Sequence, residues 1–382
     1  MRKIAVITGS RGEYGYIRPI LKLIQKTKAL EYAIVASNLH LLSAFGKTVN
    51  EIENDGFEIT DRIFMALDGY TPTSMNKSMG VFMISIADTL SRLKPDIILL
   101  AGDRGEQLMA AMAAFTMNIP VAHIQAGERS GNVDGMTRHA ITRFAHLHFA
   151  SGEDATERLR KMGEQEFRIH MTGAPQLDEL VTGAYKSAKD VAEELRLDLS
   201  KPILLVVQHP VIEDSKCVEW QANEVLEAVS TFGYQTVIVF PNNDAGSQEI
   251  RNAISRYSDR PNFRVSPSMP RDLYLGLLKV CSCIVGNSSS GIIEAPVFEI
   301  PAVNVGTRQR DRYCGNNVIS TPYRIKTIIH SIKTAFHPSF AGTFKFDPIF
   351  PYFADGKASE RIVRLLETTP LDEKLMTKQI AY

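Results

Sequence analysis

At 382 residues, 44% of them hydrophobic and 23% charged, the chain has the size and composition of a globular enzyme of two domains or one large one. Lys+Arg and Asp+Glu each number 43, so no global field draws it to nucleic acid or to an anionic membrane. The opening MRKIAVITGS carries too short an apolar run for a secretion signal, and no later run reaches the ~18 apolar residues of a membrane span; a cytoplasmic protein is expected. Four cysteines lack the spacing of a zinc site. Cys281 and Cys283, read as alternating on one strand, are expected to fill a core face.

In chain order, short β-rich runs alternate with glycine turns and helical stretches. Strands are predicted at 4–8, 32–36, 96–101, 121–124, 146–150 and 167–171, then at 203–207, 236–240, 263–265, 281–285 and 302–305. Helical patterns at 17–27, 79–93 and 106–117 separate the first set. Strand and helix alternating twice over predicts an α/β protein of two Rossmann-like, doubly wound domains facing a cleft. The first domain is placed at 1–172 and the second at 173–355, with a hinge at 172–176. The last piece, 356–382, carries an amphipathic helix at 359–366 that can pack back on the first domain, and its polar tail from 368 is expected to fray.

In such folds ligands bind at the carboxyl ends of strands, so the residues there are the candidates. The first turn, Gly9 to Gly15, lacks the glycine spacing of a dinucleotide site. Arg11 at its tip can pair bidentately with a diphosphate, or simply be solvated. Asp103 and Arg104 follow the 96–101 strand, where bare charge is costly unless used or paired. Glu128 and Asp134 follow the next strand. Acids brought together raise one another's pKa values, which suits a proton donor and a base; salt bridges to Arg104, Arg129 and Arg138, among them an Asp134–Arg138 pair at helical spacing, are the alternative. His146 and His148 read as packed histidines. In the second half, His209 before a proline can donate to phosphate or move a proton, and Asn242 ends the next strand. Then comes Gly286-Asn287-Ser288-Ser289-Ser290-Gly291, a strand feeding hydroxyls and free N–H groups into a predicted helix at 292–298. That is a place to hold phosphate, with an ordinary serine cap as the plainer reading. Glu294 would repel phosphate but suits the two hydroxyls of a ribose, so the segment points to a nucleoside diphosphate. Arg308 and Arg310 add cations.

These motifs (GSRGEYG, LLAGDRGE, HIQAGERSGNVDGMTRHAIT, QHP, FPNNDAGS, GNSSSGIIE and VNVGTRQR) resemble, in order from Gly9 to Arg310, those of the UDP-N-acetylglucosamine 2-epimerases. The third is similar to the hydrolysing branch, which supplies N-acetylmannosamine for sialic acids or a diacetamido analogue for legionaminic acid. The resemblance implies a glycosyltransferase-B-like fold, a UDP-sugar substrate, no metal, no cofactor and a homo-oligomer, dimer or tetramer. It implies acid–base roles for Asp103 and Asp134, supported by Glu128 and His209. It implies substrate contacts from Arg11, Arg104, His209, Asn242, Ser288, Ser289, Gly291, Glu294 and Arg308. Two positions depart from the pattern. Gln125 stands where relatives carry Glu or His and cannot transfer a proton near neutral pH; either it orients the sugar or Glu128 takes the load. Tyr16 stands where non-hydrolysing relatives carry lysine, and Arg18 is the candidate to replace that charge. The implied chemistry is elimination of UDP followed by hydration; a glycosyltransferase of the same architecture is the rival reading.

Overall fold

The computed structural model describes residues 1–349 and 352–382. Strands β1 (Arg2–Thr8), β2 (Leu30–Ser37), β3 (Ile59–Ile63), β4 (Ile97–Ala101), β5 (Val121–Ile124), β6 (Leu147–Ala150) and β7 (Ile169–Met171) form one parallel sheet in the order β3-β2-β1-β4-β5-β6-β7. Strands β8 (Ile203–Val207), β9 (Gln235–Val239), β10 (Phe263–Ser266), β11 (Cys283–Gly286), β12 (Ala302–Val305) and β13 (Val318–Thr321) form a second, ordered β10-β9-β8-β11-β12-β13. Each order reverses once, between β1 and β4 and between β8 and β11, so each sheet has a switch point at which loops part and leave room for a ligand. The two doubly wound sheets are the glycosyltransferase-B-like architecture.

Unbroken apolar runs mark the central strands because helices cover both faces. On β1, Ile4 and Val6 pack with Ile17 and Ile20, while Ala5 and Ile7 pack on the other side with Phe82 and Ile86. On β8, Leu204 and Val206 join Val225 and Ile250, and Leu205 and Val207 join Leu273 and Leu277. The edge strands β3 and β13 lie outside the predicted set. Ile-Thr-Asp-Arg-Ile and Val-Ile-Ser-Thr interleave polar residues, as edges do, and so lack the apolar run that betrays a central strand. Cys281 is a second correction. It ends the helix Arg271–Val280, so the strand begins only at Cys283, and the two buried cysteines belong to different cores.

The polar tail is ordered, not frayed. The helix Ala358–Thr368 sets Ile362, Val363 and Leu366 into the core that holds Ile17 and Ile20. Beyond it, Asp372 caps the short helix Glu373–Met376 and Leu375 is buried. The buried Arg168 donates to the carbonyls of Leu375 (2.7 Å), Thr377 (3.0 Å) and Lys374 (3.1 Å). Lys378 donates to the carbonyls of Thr142 and Ala145, where the helix Val133–Phe144 ends, and pairs with the buried Glu164 at 2.6 Å. A polar segment orders here because its partners are charges buried far away in sequence. Among the described residues, no helix is long and apolar enough to cross a membrane.

Candidate active site

The loops at the two switch points meet across a cavity of about 220 Å³. Arg11, Asp103, Arg104, Asp134, His209, Asn242, Ser288, Ser289, Glu294 and Arg308 all line it. Glu128, Gln125, Gly291 and Arg310 do not. The domains approach closely at one rim, where the Gly131 amide donates to the Arg308 carbonyl. A Cβ on Gly131 would lie within 2.8 Å of three backbone atoms of the opposite domain, so only glycine fits.

On the first-domain wall the surroundings push the two aspartates in opposite directions. Asp103 accepts from Ser130 Oγ at 2.9 Å and is paired with Arg138. Burial alone would raise its pKa, but Arg138, Arg312 and the Ser130 hydroxyl outweigh burial and hold it below the usual carboxylate range. Asp134 begins the helix Val133–Phe144, accepts from Asn132 Nδ2 at 2.9 Å and has its nearest cation, Arg308, 3.8 Å away. Burial, then the charges of Asp103 and Asp244, push it up to about 6. The pair expected at helical spacing is therefore not made, because Arg138 turns to Asp103. Gln125, in a left-handed backbone conformation, accepts from Arg138 Nη1 through its carbonyl at 3.0 Å; it lies behind the wall, where it fixes that arginine. Glu128 accepts from Ser151 Oγ and from Arg312 Nη2, at 2.6 and 2.9 Å, and lines a smaller neighbouring cavity. Arg18 is also removed from the cleft: Asp55 and Glu179 pair with it inside the fold.

The second-domain wall has the donors. The Asn242 amide donates to His209 Nδ1 at 3.1 Å, which leaves the ring proton on Nε2. Burial, then Arg308, Arg11 and Arg104, hold His209 well below its ordinary pKa, so it is a neutral donor. Asn287 grips the same turn, accepting from the His209 amide at 2.7 Å and donating to its carbonyl at 2.8 Å. After β11, Ser288 and Ser289 face the cavity; the helix that follows is only Ser290–Ile293, with a 3₁₀ turn at Ala295–Phe298, instead of the single run predicted. Its dipole is correspondingly small, and hydroxyls and cations supply most of the field. Glu294 accepts from Ser290 Oγ at 2.5 Å and pairs with Arg271 at 2.6 Å. Arg11 is the first residue of the helix Arg11–Ile24 and not a turn tip; it reaches across to the carbonyls of Phe240 and Pro267, at 3.0 and 3.3 Å. Arg104 spans the cleft to Asp244 at 2.6 Å.

The family described as UDP-N-acetylglucosamine 2-epimerase matches residues 22–367. The chain belongs to that family. Among relatives of the epimerase chain, the UDP-N,N'-diacetylbacillosamine 2-epimerase (hydrolyzing) of Legionella pneumophila is 38% identical over 100% of both chains. The UDP-N-acetylglucosamine 2-epimerase of Neisseria meningitidis is 31% identical over 96% of this chain and 95% of the relative. The solved structure of the UDP-GlcNAc 2-epimerase from N. meningitidis bound to UDP-GlcNAc shares the fold, with a TM-score of 0.77 at 20% identity over 96% and 99% of the chains. Several residues that the sequence reading did not assign to the site also contribute to the wall of the cavity. Tyr16, Arg271, Tyr274 and Arg312 all line the cavity. Arg271 and Arg312 are ordinary arginines in sequence, on or near helix and loop starts, and only their distant carboxylates distinguish them.

Proposed function

We propose that this epimerase is of the hydrolysing kind and releases UDP and a free 2-epimeric amino sugar from a UDP-2-acetamido sugar. The observation that carries the reading is the opposed pair Asp103 and Asp134 facing, across one cavity, a wall of phosphate donors. Ser288, Ser289, His209, Arg11 and Arg308 would hold the diphosphate, Asn242 the edge of that site, and Glu294 the ribose. Loss of the carbon 1–oxygen bond sends its electron pair to UDP, and those donors stabilise the charge; removing one such donor typically costs on the order of 3 kcal/mol of barrier. The carbon 2 proton passes to a carboxylate, which leaves a 2-acetamidoglycal. Asp134, poised near neutral pH, suits that transfer, while Asp103 stays ionised beside the developing positive charge. Water then adds its hydroxyl to carbon 1 and a proton returns to carbon 2 from the other face. Glu128 acts through Arg312, and Gln125 through Arg138, as positioning residues.

UDP-N-acetylglucosamine, giving N-acetylmannosamine, is the first substrate to test. The likeness to the Legionella UDP-N,N'-diacetylbacillosamine 2-epimerase favours a second, the UDP-2,4-diacetamido-2,4,6-trideoxy sugar. Incubation with each nucleotide sugar and no acceptor decides between hydrolysis and transfer: free UDP with the 2-epimeric sugar supports the proposal, and release only on adding an acceptor supports a glycosyltransferase. A homo-oligomer belongs to the same reading. Ile84 and Met136, exposed on the first-domain helices Pro72–Leu93 and Val133–Phe144, offer apolar surface for it, and light scattering at the monomer mass would contradict it.

A further inference from the structure

Beside the cleft lies a second cavity of about 280 Å³, and the two share Arg104 and Asp134 in their walls. Its remaining wall comes mainly from the segment that enters and opens the helix Pro72–Leu93: Met65, Leu67, Tyr70, Met75 and Met79. None of the serine turn lines it. A sugar with carbon 2 at Asp134 and its diphosphate at Ser288 and Ser289 would extend its far ring carbons past Asp134 and Arg104, the residues the two cavities share.

Several of the cavity's polar side chains are already engaged, with one another or with backbone. Asn38 donates to Glu106 at 2.8 Å and accepts from Asn243 at 2.6 Å. Ser78 donates to the Ser74 carbonyl at 2.8 Å and accepts from the Leu67 amide at 2.9 Å; Asn76 donates to the Pro72 carbonyl at 2.9 Å. Even the Met75 sulfur accepts, from the Ala245 amide at 3.1 Å. Most of what faces the space is thioether, leucine and aromatic surface, with the charged groups of Arg104, Glu106, Asp134 and Asp244 in the rest of the wall. At the junction with the cleft, Arg104 Nε–H is buried and has no partner among the described residues, a donor in place for one carbonyl or hydroxyl oxygen. A hydroxymethyl group put here would give up water's hydrogen bonds for nothing, whereas a methyl and the methyl end of an acetamido group would gain burial.

We propose that this methionine-lined cavity is the pocket for the carbon 4 and carbon 6 substituents, and that it selects a UDP-2,4-diacetamido-2,4,6-trideoxyhexose over a sugar with hydroxyls at both positions. The inference rests on the reading of the cleft as a UDP-2-acetamido-sugar site. The carbon 4 amide oxygen accepts from Arg104 Nε–H, and the two methyl groups lie against Met75, Leu67 and Tyr70. Flexible thioethers fit an irregular apolar substituent without a rigid mould.

The test is kcat/KM of the full chain for UDP-2,4-diacetamido-2,4,6-trideoxyglucose and for UDP-N-acetylglucosamine, repeated on Met75→Gln and Leu67→Asn. Both replaced side chains are partly solvent-exposed, and thermal melting checks that the variants fold. The parent should favour the diacetamido sugar by at least ~20-fold, within the range that apolar contacts and an unpaired hydroxyl produce. Each variant should cut that ratio by at least ~5-fold, chiefly through KM for the diacetamido sugar. Equal or greater efficiency on UDP-N-acetylglucosamine would overturn the pocket assignment alone, and so would a ratio unmoved in variants that melt like the parent. Release of UDP from neither nucleotide would overturn the reading of the cleft, and the pocket assignment with it.

Discussion

Asp134 occupies a position that costs the fold stability. Its pKa is raised from 3.8 to about 6 by burial and by the charges of Asp103 and Asp244. Between those values the folded state binds more protons than the unfolded one, so stability falls as pH rises through that window. Above pH 6 the penalty is fully present, up to about 3 kcal/mol for a shift of this size. Asp134→Asn removes the charge, so it should raise the melting temperature by a few degrees at pH 7.5, with the difference shrinking toward pH 4. The same variant should lose at least ~100-fold in turnover while keeping UDP affinity, the usual scale for an acid–base group. In the parent, kcat/KM should rise with pH through about 6 as the Asp134 carboxylate forms. A flat profile from pH 5 to 8, or an Asn variant less stable at pH 7.5, would remove Asp134 from this role. Asp103→Asn differs in sign for stability: it discards an ionised partner of Arg138, so it should destabilise as well as slow turnover. At the nucleotide end, Ser289→Ala and Glu294→Gln should weaken UDP in calorimetry more than they slow chemistry, since they touch the part of the substrate that does not react. Unchanged dissociation constants in both would free these residues from the nucleotide.

The C-terminal segment is an element whose stability contribution is easily measured. A chain ending at Thr368 loses the buried Leu375, strands the three donations of Arg168 and removes Lys378 from Glu164. Leaving buried charge without partners costs about 3–5 kcal/mol, so the truncation should melt well below the parent; an unchanged melt would return the segment to the frayed state its polar sequence implies. Lys378 also caps the helix that carries Asp134, which ties the far end of the chain to the first-domain wall of the cleft. The contrast shows which features can be read locally. β1, β4, β8 and β11 are apolar runs that end in glycine or polar residues, and the candidate residues at their ends, Asp103, His209 and Ser288 among them, stand out for the same reason. The edge strands β3 and β13 have no such run. The ion pairs Arg271–Glu294 at 2.6 Å and Arg312–Glu128 at 2.9 Å join residues from separate segments, and no periodicity announces them. Arg138 shows the limit of a spacing argument: four residues from Asp134, it pairs instead with Asp103, a carboxylate 35 positions away in sequence that no spacing rule connects to it.

The whole molecule is two self-sufficient sheets tied across a cleft by polar contacts. Arg104 meets Asp244, Arg11 reaches the Phe240 carbonyl, and Arg251 lies 4.6 Å over the Phe45 ring. Such ties set the gap between the acids of one wall and the hydroxyl, imidazole and guanidinium donors of the other, and a ligand touching both walls should stiffen the pair. UDP at 100 times its dissociation constant should therefore stabilise the chain by about 2.7 kcal/mol, read as a higher melting temperature that Ser289→Ala diminishes. The reaction itself is tested most directly in heavy water. With a UDP-2-acetamido sugar alone, the account requires free UDP and a free 2-epimeric sugar carrying deuterium at carbon 2, because the original proton is lost and another returns to the opposite face. A released sugar that keeps the substrate's own proton at carbon 2 would contradict elimination and hydration.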